Sequence, residues 1–224
     1  MTSFITRTAA VGLATLIATQ AHATLVSITD CAGEAESCEI IVPASGSTIT
    51  KNPNNRRIYA WNELQNFTLS EDLFVNRVFD ETASFVEKIN NNNFKILAGT
   101  VVSSHYVQWD NAGGTLQRAT ATINADSQIF AFITDDQYLF DSDFLGLPTL
   151  NYNDFTNRSL EADDYTTFND QSVDISWNAG TPGDWSRMIT AYSPMGAVPL
   201  PAALPMLLAG MGLLGFAGRR RRRA

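Results

Sequence analysis

Apolar and polar residues alternate along much of the chain, with the two-residue period of a β-strand. In residues 173–177, for example, Val173, Ile175 and Trp177 share one face and polar residues occupy the other. Clusters rich in Asn, Asp, Gly and Pro separate such stretches and indicate turns. The pattern predicts strands at residues 57–62, 66–69, 94–102, 105–109, 115–124, 128–134, 173–177 and 185–192.

Helical patterns are few. Residues 142–147 and 159–164 are each long enough for little more than one turn of helix. Roughly eight to eleven short strands predict an all-β fold, a single antiparallel β-sandwich with a jelly-roll or immunoglobulin-like layout. The short break at residues 125–127 predicts a hairpin between the strands on either side of it.

Residues 1–23 have the pattern of a secretory signal peptide. Arg7 supplies the positive charge, an apolar run follows, and Ala21 and Ala23 occupy the two positions that signal peptidase reads. The apolar run of about ten residues is too short to span a ~30 Å hydrocarbon core, which argues against a membrane anchor. We therefore expect export through the Sec translocon and cleavage by signal peptidase before Thr24, with residues 24–196 forming one domain.

The C-terminal end differs in kind. Residues 197–218 contain no charged residue, and five arginines at 219–223 follow them. As a helix, the apolar stretch would reach ~33 Å, enough to span a bilayer, and the basic cluster would stay cytoplasmic. A buried core helix is the alternative, but Pro199, Pro201 and Pro205 disfavour it. The sequence predicts a transmembrane helix over about residues 203–218.

The start of this segment carries a specific resemblance. Val198, Pro199, Leu200, Pro201 and Ala202, followed by a Gly-rich apolar helix and an arginine run, resemble the VPLPA variety of the PEP-CTERM sorting signal. The resemblance implies that an exosortase-type transpeptidase reads the motif while the helix holds the chain in the membrane. It further implies transient residence in the inner membrane of a Gram-negative bacterium, then delivery to the cell surface or extracellular matrix.

The predicted domain is far more acidic than the whole chain, whose net charge is −8. All 23 acidic residues lie within residues 24–196, whereas only nine of the 15 basic residues do, so the domain carries −14. A surface of that sign repels nucleic acid and anionic lipid, which excludes a nucleic-acid partner. The same surface suits solubility in salty medium or the binding of divalent cations.

Cys31 and Cys38 lie seven residues apart near the start of the domain. Export implies an oxidising compartment, so the spacing predicts a disulfide that closes a small loop. A zinc site is the competing interpretation, but two thiolates with no histidine nearby do not complete a four-ligand shell.

Three segments of the domain are similar to a recurring core of uncharacterised exported PEP-CTERM-type proteins. They are residues 140–148 with Tyr152, residues 158–161 and residues 182–187. The resemblance implies a surface protein with a β-rich domain and brings no activity with it.

His105 is the only histidine left after signal cleavage, and Ser104 precedes it. Neighbours in a strand point to opposite faces, so this pair does not form a Ser-His-Asp triad, and a structural histidine is expected. Paired carboxylates for glycoside hydrolysis remain the alternative chemistry, with Glu161, Asp141 and Asp143 as first candidates.

Acidic residues concentrate between positions 135 and 164, in a loop-rich segment. Hard oxygen ligands of this kind are those that Ca²⁺ prefers. The sequence predicts a calcium site drawn from several loops, with Asp141, Asp143, Asp163 and Asp164 as ligands, beside the simpler interpretation of a solvated acidic face. The segment that starts at Asp141 is not an EF-hand, because Leu145 and Tyr152 occupy positions that need ligands.

The four tryptophans lie in strand-like segments, where alternation directs at least three of them into the core. The sequence thus predicts a non-enzymatic surface or matrix protein with a structural or adhesive role. It requires no cofactor in this interpretation, and calcium or extracellular polysaccharide is its ligand. The alternative is a secreted hydrolase that acts on surface glycans.

Overall fold

The computed structural model describes residues 24–152, 158–161 and 164–192. The predicted signal peptide and the whole sorting segment lie outside these residues. The described elements, in chain order, are β1 (Leu25–Gly33), β2 (Ser37–Ile40), β3 (Thr48–Ile49), β4 (Arg57–Asn62), β5 (Phe67–Thr68), β6 (Leu73–Val75), β7 (Arg77–Val78), β8 (Val86–Asn90), β9 (Asn93–Ile96), β10 (Val101–Asp110), β11 (Gln117–Ala125), β12 (Ile129–Ile133), α1 (Asp136–Asp141), a 3₁₀ turn (Asp143–Leu145), β13 (Asn151–Tyr152), β14 (Tyr165–Phe168), β15 (Ser172–Ala179) and β16 (Asp184–Ala191).

Two sheets dominate the fold, which confirms the predicted all-β class. Strands β1, β11, β15 and β14 form a four-stranded sheet in that order. A seven-stranded sheet follows the order β2, β4, β10, β16, β12, β7, with β5 paired to β10. Smaller sheets pair β13 with β3 and join β6, β9 and β8. The jelly-roll or immunoglobulin-like layout stays a prediction.

Alternation explains how the two main sheets meet. In β11 and β15 every second side chain is buried, and Ile123, Ile175 and Trp177 lie on that inner face. These residues share one apolar cluster with Trp109 of β10 and Met188 of β16. This cluster, here called the inter-sheet core, holds the four-stranded sheet against the seven-stranded one.

The centre of the seven-stranded sheet is buried on both faces. Nine of the ten residues of β10 and seven of the eight of β16 are buried. A second apolar cluster covers the other face and includes Trp61, Tyr106, Leu139 and Trp185. The sheet is therefore an inner layer, with α1 and the small β6–β9–β8 sheet on its outer side. All four tryptophans are at most 1% exposed, which confirms their predicted core role.

The Cys31–Cys38 disulfide is confirmed, with an S–S distance of 2.00 Å. Cys31 belongs to β1, at the edge of the four-stranded sheet, and Cys38 to β2, at the edge of the seven-stranded one. The bond therefore links the two main sheets covalently as well as closing a short loop.

Several predicted elements need correction. The expected hairpin between residues 115–124 and 128–134 is wrong, because β11 pairs with β1 and β15 whereas β12 pairs with β16 and β7. The turn at residues 126–128 therefore carries the chain from one sheet to the other. A strand predicted over residues 94–102 is interrupted by a turn near Gly99, whose φ is +87°.

The sheets are also not wholly antiparallel, since β2 pairs parallel to β4 and β13 parallel to β3. The 3₁₀ turn at Asp143–Leu145 confirms the single helical turn expected within residues 142–147. Helix α1, at Asp136–Asp141, was not predicted, and the Asp135 carboxylate caps it by accepting from the backbone N–H groups of Gln137 and Tyr138. The described part of residues 159–164 contains no helical residue.

None of the helices in the described residues is long and apolar enough to cross a membrane. The transmembrane helix predicted at about residues 203–218 lies outside those residues.

His105 lies in the middle of β10 and is fully buried, as expected of a structural histidine. Its Nδ1 is 2.8 Å from Asn62 Oδ1, and its Nε2 is 3.1 Å from Thr190 Oγ1. The Asn62 oxygen can only accept, so Nδ1 carries the proton and Nε2 accepts from the Thr190 hydroxyl. Ser104 points away and donates to Glu63 Oε2 at 2.5 Å. The two neighbours face opposite sides of the sheet, as strand geometry requires.

This burial predicts an acid sensitivity. Burial lowers the pKa of His105 to about 3, whereas an unfolded histidine has a pKa of about 6.5. Between about pH 6.5 and pH 3, His105 is therefore protonated in the unfolded chain but neutral in the folded one. The free energy of unfolding falls as the pH drops through this range. His105→Gln cannot take up this proton, so its stability does not carry this pH dependence. We expect denaturant titrations to show that the difference in unfolding free energy between wild type and variant shrinks by about 1.4 kcal/mol per pH unit below 6.5. A difference that stays constant between pH 7 and pH 4.5 would contradict this account.

Candidate functional site

Strand β16 carries two charged residues, Asp184 and Arg187, three positions apart. Because their separation is odd, their side chains leave opposite faces of the sheet. Asp184 is paired in register with Trp109 of the inter-sheet core, and Arg187 with Tyr106 of the outer cluster. Each residue organises a different polar group inside an otherwise apolar region.

Every N–H group of Arg187 has a partner, although the side chain is completely buried. Its Nε and Nη2 donate to the Glu63 carboxylate at 2.7 and 3.0 Å, and Nη2 also donates to Asp143 Oδ1 at 3.1 Å. Its Nη1 donates to the Leu139 carbonyl at 3.0 Å and to Ser142 Oγ at 2.6 Å. These five bonds match the five donors of a guanidinium.

A second buried arginine completes this arrangement. Arg158 is 1% exposed and donates from Nη2 to Asp143 Oδ2 at 2.8 Å and from Nη1 to the Tyr106 hydroxyl at 3.2 Å. The guanidinium of Arg187 lies 5.0 Å from the Tyr106 ring and 5.5 Å from the Tyr152 ring. Two arginines thus face two carboxylates, Glu63 and Asp143, in what we call the arginine network. Its charges balance, and this indicates a structural role.

On the opposite face, the carboxylates of Glu161, Asp164 and Asp184 converge. One ligand oxygen from each lies within 4.8 Å of the others. Asp184 and Asp164 are 1% and 4% exposed, whereas Glu161 is exposed. Asp184 begins β16 of the seven-stranded sheet, and Asp164 directly precedes β14 of the four-stranded sheet. This group, the carboxylate cluster, therefore lies where the two main sheets meet.

The electrostatics of the carboxylate cluster are unfavourable. Burial, together with the charges of Asp164 and Glu161, raises the pKa of Asp184 to about 9. Burial also raises the pKa of Glu161. Among the described residues, no hydrogen-bond donor reaches Asp184 Oδ2, which is buried. The half-buried Arg77 supplies a positive charge near Asp164, which is too little to balance three carboxylates.

A fourth acid lies close to this cluster. Asp110, at the end of β10, is fully buried, and burial raises its pKa to about 6, an effect that the backbone of Asn54 partly offsets. Its charge contributes to the raised pKa of Asp184. Gly183 permits this close approach of β10 and β16, because a Cβ there would lie 2.6 Å from the Trp109 carbonyl oxygen.

The structure separates the acids that the sequence predicted as one calcium site. Asp143 belongs to the arginine network, and the exposed Asp141 accepts from Gln137 Nε2 at 2.8 Å. Asp164 lies in the carboxylate cluster, and Asp163 lies outside the described residues. The sequence did not predict that Asp184 belongs to such a site, because an aspartate that follows Thr-Pro-Gly is typical of an ordinary turn. Glu161 was foreseen only as a hydrolase carboxylate.

A groove on the outer side of the fold is the second candidate surface. Its volume is about 300 Å³, and its lining includes Glu71, Asp72, Phe74, Tyr138, Asp141 and Phe144. Phe74 and Phe144 are 43% and 41% exposed, and the Phe74 and Tyr138 ring centroids are 5.7 Å apart. Aromatic faces therefore lie beside acidic side chains in one concave surface.

Fold and sites together define a β-rich, disulfide-bonded protein with a buried ionic core. The C-terminal segment, residues 197–222, matches the family model of the PEP-CTERM protein-sorting motif. This match indicates a protein that is targeted for exosortase-mediated sorting to the cell surface. Comparisons with curated proteins and with solved structures found no match to the chain.

The arginine network yields a prediction about stability. Arg187→Met leaves Glu63 buried without its main partner, so we expect a loss of about 3–5 kcal/mol in the free energy of unfolding. The matched control is Lys88→Met, whose 2.7 Å ion pair with Glu81 is about half exposed and should contribute less than about 1 kcal/mol. Urea denaturation measures both.

The double variant Arg187→Met with Glu63→Gln tests whether the unpaired charge of Glu63 causes the loss of stability. It removes the stranded charge, so it should lose less than the sum of the two single variants. Strictly additive losses would show that the ionic contact itself is unimportant.

Proposed function

We propose that the chain is an exported protein that an exosortase-type transpeptidase processes at the VPLPA motif, Val198 to Ala202, and that its β domain then serves a structural or adhesive role in the extracellular matrix. Polysaccharide and calcium are its ligands in this proposal. The match of residues 197–222 to the sorting motif carries the proposal. The disulfide and the domain charge of −14 are consistent with it.

The groove is the surface that best fits polysaccharide. Exposed aromatic rings stack on the apolar faces of sugar rings, and carboxylates accept from sugar hydroxyls. Because Glu71, Asp72 and Asp141 all lie on the groove, a neutral glycan fits it better than an acidic one. The alternative, a hydrolase of surface glycans, would place two carboxylates across the bound sugar.

The sorting proposal makes a prediction about the mature C-terminus. In the native host, mass spectrometry of the surface fraction should find chains that end within or next to residues 198–202. Pro199→Ala, or deletion of the transpeptidase gene, should leave the apolar segment and its arginines attached and keep the protein in the membrane fraction. An intact arginine tail on surface protein from the unmodified host would refute processing.

The groove proposal predicts a loss of glycan retention. Phe74→Ala removes an exposed ring from the groove, and we expect the affinity for neutral matrix polysaccharide to fall about tenfold, as measured by affinity electrophoresis. Phe79→Ala is the matched control, since Phe79 is 39% exposed but lines a different cavity. Equal retention of both variants would exclude this groove, and release of shortened glycan by the wild-type protein would favour the hydrolase.

A further inference from the structure

We propose that Glu161, Asp164 and Asp184 bind one Ca²⁺ ion where the two main sheets meet. This inference rests on the proposed function, which names calcium as a ligand, and adds the residues that would hold the ion. Of the calcium ligands predicted from the sequence, only Asp164 belongs to this site.

Geometry is the first support. Ca²⁺ binds oxygen at about 2.3–2.6 Å, so ligands on opposite sides of one ion lie about 4.6–5.2 Å apart. The three carboxylate oxygens all lie within 4.8 Å of one another. They can therefore reach a common ion without rearrangement of the backbone segments that carry them.

The buried and unpartnered oxygen of Asp184 is the second, independent support. Buried polar atoms in folded proteins almost always have a partner, and a buried charge needs compensation. Asp184 is 1% exposed, and no donor in the described part of the chain reaches its Oδ2. A cation between the three carboxylates supplies the missing partner.

The types of ligand at this site favour Ca²⁺ over Zn²⁺ and Mg²⁺. All three are carboxylates, without the nitrogen or sulfur ligands that zinc prefers. Mg²⁺ demands a nearly ideal octahedron at about 2.0–2.1 Å, whereas Ca²⁺ accepts irregular arrangements of six to eight oxygens. Glu161 is exposed, so the ion and its remaining water ligands have access from solvent.

The position of the site predicts what binding does. Asp184 begins a strand of one main sheet, and Asp164 accepts from the backbone N–H of Asn178 in the other at 2.6 Å. An ion shared by these residues joins both sheets. Because the folded chain alone presents this arrangement, Ca²⁺ should stabilise it by mass action.

The test uses the full-length chain, exported so that the disulfide forms, purified in detergent and stripped with EDTA. At a Ca²⁺ concentration of 100 times Kd, the Tm of the wild type should rise by about 5–10 °C, with a smaller rise in Mg²⁺. Asp184→Asn should lose most of this rise. Asp170→Asn, which changes an exposed acid outside both the cluster and the groove, should keep it.

A second variant and a second readout guard against misfolding of Asp184→Asn. Glu161→Gln changes the exposed ligand, and it should weaken Ca²⁺ binding at least about tenfold in calorimetric titrations. Tb³⁺, a luminescent substitute for Ca²⁺, should be sensitised by Trp109, which is paired in register with Asp184, and Ca²⁺ should displace it.

No Tm rise in wild-type protein would overturn the site and indicate that shared protons alone compensate the carboxylates. Equal rises in all variants would also overturn it, because Ca²⁺ would then bind elsewhere on the chain. A failure of the calcium site would remove calcium from the proposed ligands. It would alter neither the mass of the mature C-terminus nor the retention of glycan, so it is distinguishable from failure of the sorting and glycan parts of the proposed function.

Discussion

The buried guanidinium of Arg187 is the interaction on which the outer half of the fold depends. It joins strand β16 to the residue after β4, to the end of α1 and to the following 3₁₀ turn through five hydrogen bonds. A buried ion pair costs desolvation that its attraction barely repays, so its main contribution is to fix one arrangement of these segments. Apolar contacts could hold α1 in several positions, whereas the directed bonds from Arg187 to the Leu139 carbonyl and to Ser142, at its C-terminal end, admit one.

Three residues before Arg187, the same strand carries Asp184, a buried charged residue whose described surroundings do not balance its charge. Arg187 faces a network in which two arginines balance two carboxylates, while Asp184 faces acids that the described residues do not balance. Strand alternation places both groups inside the protein because β16 is buried on both faces. Residues 140–148, 158–161 and 182–187 supply most members of both groups.

Sequence reasoning reached the fold class, the disulfide and most strand positions because these depend on local signals. Strand β4 occupies residues 57–62 as predicted, and the alternation of β15 gives its buried face directly. It did not predict the features that depend on contacts between segments far apart in the sequence. The turn at residues 126–128 reads as a hairpin, yet the chain changes sheets there, and the parallel pair β2–β4 leaves no local trace. The partnership of Glu63 with Arg187 spans 124 positions, so composition predicted acidity without revealing which acids are buried.

An unbalanced acid cluster is tolerable only in a protein whose stability comes from elsewhere. Here the disulfide links the edges of both main sheets, and the arginine network fixes the outer layer, so the inter-sheet core can hold Asp184 at a cost. Extracellular calcium sites commonly have Kd values of about 10⁻⁴–10⁻³ M. A cluster of this kind would therefore be loaded outside a cell and largely empty at the much lower calcium levels of cytoplasm. Under the calcium proposal, the domain gains its final cross-link only after export, which fits a chain whose C-terminal segment matches a surface-sorting motif.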